Sequence, residues 1–305
     1  MSRTFARGAA MASALFLSFC ASGPASAAHV ASLKLFSPEA FWPAGRDAAP
    51  AFTPDGKTVF FTHGDPSFQG IMVSHLHKGI WSTPVPASFS GKWRDIEPYM
   101  APDGSYLLFI SNRPAEPGGA PLDGYFSGKV QPKAGGNLWR VDRVGDGWGE
   151  PVRLPDSVNT NSAIYSPAIA GDGSIYFNQP DPVTRRNRIY RAQAVPGGFE
   201  PPVAVSITDN GLTGYDAAVA PDESFIVFSS SRPPAKPGQS LVFISYRRNG
   251  SWSDPKPVQP IIEGLEARLS PDMRTLYVSA EPPQKPTDKA RVAQPWRIFR
   301  TRFHA

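Results

Sequence analysis

Five times along the chain a strand-forming segment meets a Pro-Asp-Gly-like turn and gives way to a nearly continuous apolar run. The copies read PAFTPDGKTVFF from Pro50, PYMAPDGSYLLF from Pro98, PAIAGDGSIYF from Pro167, AAVAPDESFIVF from Ala217 and ARLSPDMRTLYV from Ala267. Their turn aspartates, Asp55, Asp103, Asp172, Asp222 and Asp272, are spaced by 48, 69, 50 and 50 residues. Each copy predicts strand, tight turn, strand: proline presets φ, aspartate bonds its own backbone, and glycine takes φ > 0. Glu223 and Met273 stand at the glycine position of the last two copies, where a left-handed conformation costs roughly 1 kcal/mol. A solvent-facing strand would alternate, so the apolar runs at 106–110 and 225–228 predict strands buried on both faces.

A third strand is predicted after each pair, at 71–75, 137–141, 188–191, 240–245 and 296–300. A fourth is announced by an aromatic with a proline close behind: Trp81 and Pro84, Trp148 and Pro151, Phe199 and Pro202, Trp252 and Pro255. The fifth copy runs to Ala305 without this element, and Leu33 to Pro38 offers a replacement. An N-terminal strand that completes the last blade closes a ring. The expected fold is therefore all-β, a five-bladed β-propeller of four-stranded antiparallel blades, rather than six blades or an open solenoid. The 69-residue interval holds an extra Gly/Pro-rich loop at 114–136, too short for a sixth blade.

Ala101-Pro-Asp-Gly104 with Ser111-Asn-Arg113, and Ala220-Pro-Asp222 with Ser230-Ser-Arg232, resemble the TolB-type, WD40-like β-propeller repeat family. The resemblance covers nearly all of 28–305 and implies the fold, not the activity, because such propellers include binders, scaffolds and enzymes. No G-x-S-x-G element accompanies it.

Composition adds the compartment. Arg3 and Arg7, an apolar stretch at 9–19 and Ala25-Ser-Ala27 read as a signal peptide over 1–27, followed by a single domain at 28–305. The apolar stretch is too short to span a bilayer, and bulky Phe19 argues against a lipid anchor at Cys20. A periplasmic or secreted location follows. Cleavage removes the single cysteine and two arginines, so +5 becomes +3. Proline is abundant, 34 of 305 residues, about twice the usual share of roughly 5%, which excludes long helices. No basic stripe exceeds Arg185-Arg186-Asn187-Arg188, so nucleic acid is not an expected partner. The expected partner is a periplasmic or extracellular protein, peptide or glycan, met by a monomer.

The residues just before each repeat are Ala49, Glu97, Ser166, Asp216 and Glu266. In propeller topology they ring the channel mouth. The ends of the second strands, His63, Arg113, Gln179, Arg232 and Glu281, stand on the same face. One reading is a polar cup for a cation, sugar or peptide. Its carboxylates suit Ca²⁺ as a cofactor, or serve a glycosidase as acid and base. The other reading is structural, with Glu97–Arg113 and Asp216–Arg232 as ion pairs inside blades. Glu266 breaks that rule, facing Glu281 where an arginine is expected, with Arg268 two residues along. Tyr125, in the 114–136 loop, is placed as an overhanging contact. The turn aspartates and Trp81, Trp148 and Trp252 read as structural, and His75 and His77 as solvent-exposed. Function is thus expected to be binding or scaffolding at the channel mouth, with carbohydrate hydrolysis as the alternative. The mature protein is expected to begin at Ala28, give or take one residue. N-terminal sequencing of the exported form checks this, and an intact residue 1–27 segment contradicts it.

Overall fold

The computed structural model describes residues 33–36, 45–65, 68–126, 129–208, 213–282 and 295–305. The expected signal segment, Cys20 and most of the 281–295 stretch lie outside them. The described residues form five antiparallel blades around a central channel. Their inner strands are Arg46–Phe52, Asp95–Met100, Tyr165–Ile169, Tyr215–Val219 and Leu265–Leu269. Second strands follow at Thr58–Gly64, Tyr106–Ser111, Ile175–Pro180, Phe225–Ser230 and Thr275–Ala280. Third strands are Gln69–His77, Asn137–Val144, Asn187–Ala192, Leu241–Arg248 and Arg297–Arg302. The continuous apolar runs are the second strands, covered on both faces by neighbouring blades: Val59, Leu107, Ile175, Ile226 and Leu276 have no exposed surface.

The repeated turns are built as their chemistry requires. Asp55, Asp103, Asp172, Asp222 and Asp272 each accept a hydrogen bond through Oδ1 from the amide two residues on, at 2.8–3.1 Å. Gly56, Gly104 and Gly173 are left-handed there, with φ of 66°, 75° and 85°. Glu223 and Met273 take φ of 56° and 55° in the same place. The Glu223 side chain offsets that strain. It accepts from Tyr176 Oη and Arg191 Nε, both at 2.6 Å, and pairs with Arg247, tying blade three to blade four.

The ring closes as the repeat count implies. Lys34–Leu35 pairs antiparallel with the last third strand, Leu35 opposite Phe299. The other outer strands are equally short: Val85–Pro86, Val152–Arg153, Val203–Ala204 and Lys256–Pro257. The predicted aromatics stand just ahead of them, on hairpins that turn back from the blade edge (Ile80–Trp81, Gly147–Trp148, Gly198–Phe199, Ser251–Trp252), and wedge against the preceding blade. Trp148 meets Phe60 edge-on at 5.4 Å, for example. Blade five uses Phe303 in this role, 5.7 Å from Phe225.

The closure rests on one aromatic cluster. Phe36, 6% exposed, meets Phe52, Trp81 and Tyr277 edge-on at 5.6, 5.9 and 5.2 Å. Phe36→Ala is expected to destabilise the fold by about 3–5 kcal/mol, measured by urea unfolding. A loss under about 1 kcal/mol would mean that the terminal strand does not hold the ring shut.

Candidate functional site at the channel mouth

The inner strand of every blade carries a bulge. Register slips between Ala48 and Ala51, Ile96 and Tyr99, Tyr165 and Ala168, Tyr215 and Ala218, and Leu265 and Arg268. The residue that makes each bulge is left-handed: Ala49, Glu97, Ser166, Asp216 and Glu266 have φ of 51–57°. For residues with a Cβ this costs on the order of 1–3 kcal/mol each. The bulged amides recover part of that by bonding the neighbouring blade. Ala49 N donates to Ser279 Oγ (3.2 Å), Glu97 N to Thr62 Oγ1 (2.7 Å), Ser166 N to Glu97 Oε2 (2.5 Å) and Glu266 N to Asp216 Oδ2 (3.1 Å). Each bond runs from one blade to the blade before it, as a belt around the bore.

Four of these five residues, Glu97, Ser166, Asp216 and Glu266, line one cavity of about 500 Å³. Ala48, Thr62, Ile96, Tyr165, Asn178, Tyr215 and Leu265 form walls, and Arg46, Arg94 and Gln69 also line it. Glu97, Asp216 and Glu266 thus share a cup, as the repeat alignment places them. Ser166 Oγ donates to Asp216 Oδ1 at 2.6 Å. Burial raises the Glu97 carboxyl to about 7, with the negative charges of Glu266 and Asp216 adding to it. Burial and the Asp216 charge likewise raise Glu266.

The belt separates the three acids by role. Glu97 and Asp216 each bond the bulged amide of the following blade. Glu266 stands where it could do the same for Ala49, but Ser279 from its own blade takes that amide. Glu266 Oε2 is left buried without a hydrogen-bond partner, on a residue 8% exposed in the wall of the cavity. A buried acceptor with no donor is uncommon and asks for a ligand or a proton.

The expected ion pairs are not formed. Arg113 forks onto Asp95, donates to Phe89 O at 2.7 Å and lies over Phe109 and Trp139. Arg232 donates to Ser230 Oγ and to the carbonyls of Ile207 and Thr213. The left-handed backbone turns Glu97 and Asp216 into the bore, away from the blade face where both arginines lie. The acid that meets the second-strand end stands two residues earlier, as Asp95 does with Arg113 and Asp47 with His63 (Nδ1 to Oδ1 2.7 Å).

Other predicted contacts fall outside the cup. Glu281 and Tyr125 do not line it. The 114–136 loop forms a hairpin, Gly124–Phe126 with Lys129–Gln131. It is tied sideways rather than over the bore: Tyr165 Oη donates to Ala134 O (2.8 Å), Ser162 Oγ to Asp123 O (2.6 Å) and Asn112 Nδ2 to Lys133 O (2.7 Å). Arg268 lies one layer lower and lines a different cavity. Among the described residues, no group of three His, Cys, Asp or Glu side chains is placed to hold a metal ion, so the geometry adds nothing to the Ca²⁺ reading. The cavity residues that the repeat alignment did not single out have a regular address. Arg46 and Arg94 stand three residues before a bulge, and Tyr165 and Tyr215 one residue before. Their positions look like ordinary strand alternation until the bulge is recognised.

No protein-family model matches the chain, and no curated protein matches it in sequence. Solved structures do resemble it. The catalytic domain of an α-L-arabinofuranosidase from Coprinopsis cinerea is 12% identical over 91% of this chain and 96% of that one, with a TM-score of 0.54. An α-L-arabinofuranosidase from Podospora anserina is 12% identical over 92% and 97%, with a TM-score of 0.53. TolB from Acinetobacter baumannii is 14% identical over 85% of this chain, which spans 55% of that protein, with a TM-score of 0.49. At this level of identity the likeness shows the fold, a β-propeller, and no more.

The cup has a pH signature. A carboxyl whose folded value is raised binds its proton more tightly when folded, so its contribution favours folding below the unfolded value. That contribution is lost as pH rises from about 4.5 through about 7. Glu97→Gln keeps the acceptor for Ser166 N and removes the titration. Its stability relative to wild type is expected to improve by about 3 kcal/mol between pH 4 and pH 8, read from urea unfolding at both. A difference that does not change with pH would contradict the raised Glu97.

Proposed function

We propose that this chain is an exported binding propeller of the Pro-Asp-Gly repeat type, whose cup takes a polyhydroxylated group of a cell-envelope glycan. The observation that carries the reading is the buried Glu266 carboxylate in the wall of a cavity of small-molecule size: Ser279 meets it on one side, and its Oε2 has no hydrogen-bond partner. Its surroundings suit a sugar. Asn178, Asn187 and Gln69 offer amides. The hydroxyls of Tyr165 and Tyr215 are engaged with Ala134 O and Ser240 Oγ, so what they present to the cavity is ring surface. Apolar ring faces combined with a few placed polar groups are what small-molecule sites are made of. A carboxylate accepts from sugar hydroxyls, and charge-assisted bonds of this kind are roughly twice as strong as neutral ones.

Hydrolysis of a glycosidic bond is the second reading, favoured by one observation. The arginines that would have neutralised the cup acids are engaged elsewhere, and Glu97 is poised near neutral pH. A protonated Glu97 beside an ionised carboxylate is the division of labour that acid–base cleavage of a glycoside uses. The arabinofuranosidases share the fold at a TM-score above 0.5, which makes the reaction class worth testing and identifies no substrate.

The test is a thermal-shift panel of monosaccharides and envelope oligosaccharides on wild type and Glu266→Gln. A ligand at 100 times its Kd stabilises by about 2.7 kcal/mol, and that shift is expected to vanish in the variant. A flat panel, or a shift untouched by Glu266→Gln, would refute a sugar site in the cup. For the second reading, nitrophenyl glycosides are incubated with wild type and Glu97→Gln. Catalysis predicts a loss of about 10²–10⁴-fold in the variant, and no turnover by wild type leaves binding as the function.

A further inference from the structure

We propose that the opposite end of the channel is a carboxylate site built on Arg268, taking a small acid with an apolar body. Two residues beyond the bulged positions stand Ala51, Tyr99, Ala168, Ala218 and Arg268. Three are alanines, so Tyr99 and Arg268 are the long side chains at this level. Arg268 is 1% exposed, and its guanidinium carbon lies 5.4 Å from the centre of the Tyr99 ring. Nη1 donates to Ala267 O at 2.9 Å, while Nε and Nη2 have no partner.

The unpartnered pair is chemically specific. Nε–H and one Nη2–H point in parallel from the same edge of the guanidinium, the fork that holds a carboxylate through two bonds. Arg268 lines a cavity of about 180 Å³ on the Pro-Asp-Gly face, and a carboxylate that enters it reaches the buried fork by a small shift of the guanidinium. Arg268 is the one charged residue lining it. Its other polar side chains are committed, Ser270 Oγ to Asp272 Oδ1 at 2.5 Å and Tyr99 Oη to the Val219 backbone. The rest of the wall is apolar, including the turn prolines Pro54, Pro102 and Pro221. Glu97 and Glu266 attract Arg268 from the cup above, but neither hydrogen-bonds it. The acids therefore bias the guanidinium electrostatically and leave its fork unfilled. The volume and the wall admit a short aliphatic or single-ring acid.

Benzoate is the probe, and benzamide is its neutral control, with calorimetry on the mature wild-type protein. Benzoate is expected to bind at least about tenfold tighter than benzamide, the advantage of a charge-assisted over a neutral pair of bonds. Arg268→Lys, which keeps the charge and loses the fork, is expected to abolish most of that preference. Equal affinities for the two probes, or no binding of either at millimolar concentration, would overturn the site. So would benzoate affinity unchanged in Arg268→Lys. If the lysine variant does not fold, magnetisation transfer from the benzoate ring to the Met273 or Leu269 methyl groups decides in its place. Transfer places the acid in this cavity, and its absence overturns the proposal.

Discussion

The left-handed residue at the start of each inner strand is the constraint on which the channel depends. A regular strand would send alternate side chains to its two faces. The bulge interrupts that alternation once per blade, and in blades two to five it brings the bulged residue to the cavity wall. It also frees an amide, and in blades one, two, three and five that amide bonds the blade before it. Blade-to-blade bonding and site geometry therefore share one cause, while the Phe36 cluster closes the ring. A residue placed at the bulge is delivered to the channel mouth whatever its chemistry, as Glu97, Ser166, Asp216 and Glu266 illustrate.

Small differences in who satisfies each amide decide which acid is available. Glu97 and Asp216 are braces between blades, and their removal would loosen the belt. Glu266 is excused from the same duty because Ser279 reaches Ala49 N first. Structure and function are thus divided among chemically similar residues by their hydrogen-bond partners. Gathering three carboxylates in a buried space raises the protonation of at least two of them. Such shifts are a common mark of functional sites, where burial and like charge are tolerated for what they make possible. Beneath them, Arg268 supplies opposite charge to Glu97 and Glu266 without a hydrogen bond to either.

Much of the fold was legible because each repeat states its own turn chemistry. Pro-Asp-Gly gives the hairpin, the apolar run gives the doubly covered strand, and the missing outer element of blade five gives the role of Lys34–Leu35. The three acids were legible for the same reason, since aligned repeat positions become equivalent positions in a ring. Their partners were not. The Ser-x-Arg arginines stand near the right strand end, but a bulge cannot be read from residue types. Without it Glu97, rather than Asp95, looks like the partner of Arg113. Arg46, Arg94, Tyr165 and Tyr215 were hidden by the same one-residue slip. The 114–136 loop was read as an overhang because length says nothing of tethers. The hydrogen bonds from Tyr165, Ser162 and Asn112 hold it against the rim between blades two and three.

The central claim is that Glu97 and Glu266 form one electrostatic unit in a buried cup. Carbon-13 NMR titration of the glutamate carboxyls tests it most directly, in wild type and in Glu266→Gln. The account predicts that Glu97 titrates near 7 and Glu266 above the ordinary carboxylate range. Removing the Glu266 charge should move the Glu97 midpoint downward. Two independent titrations near 4.5, unchanged by the substitution, would show that the acids are apart and solvated, and the cup as described would not exist.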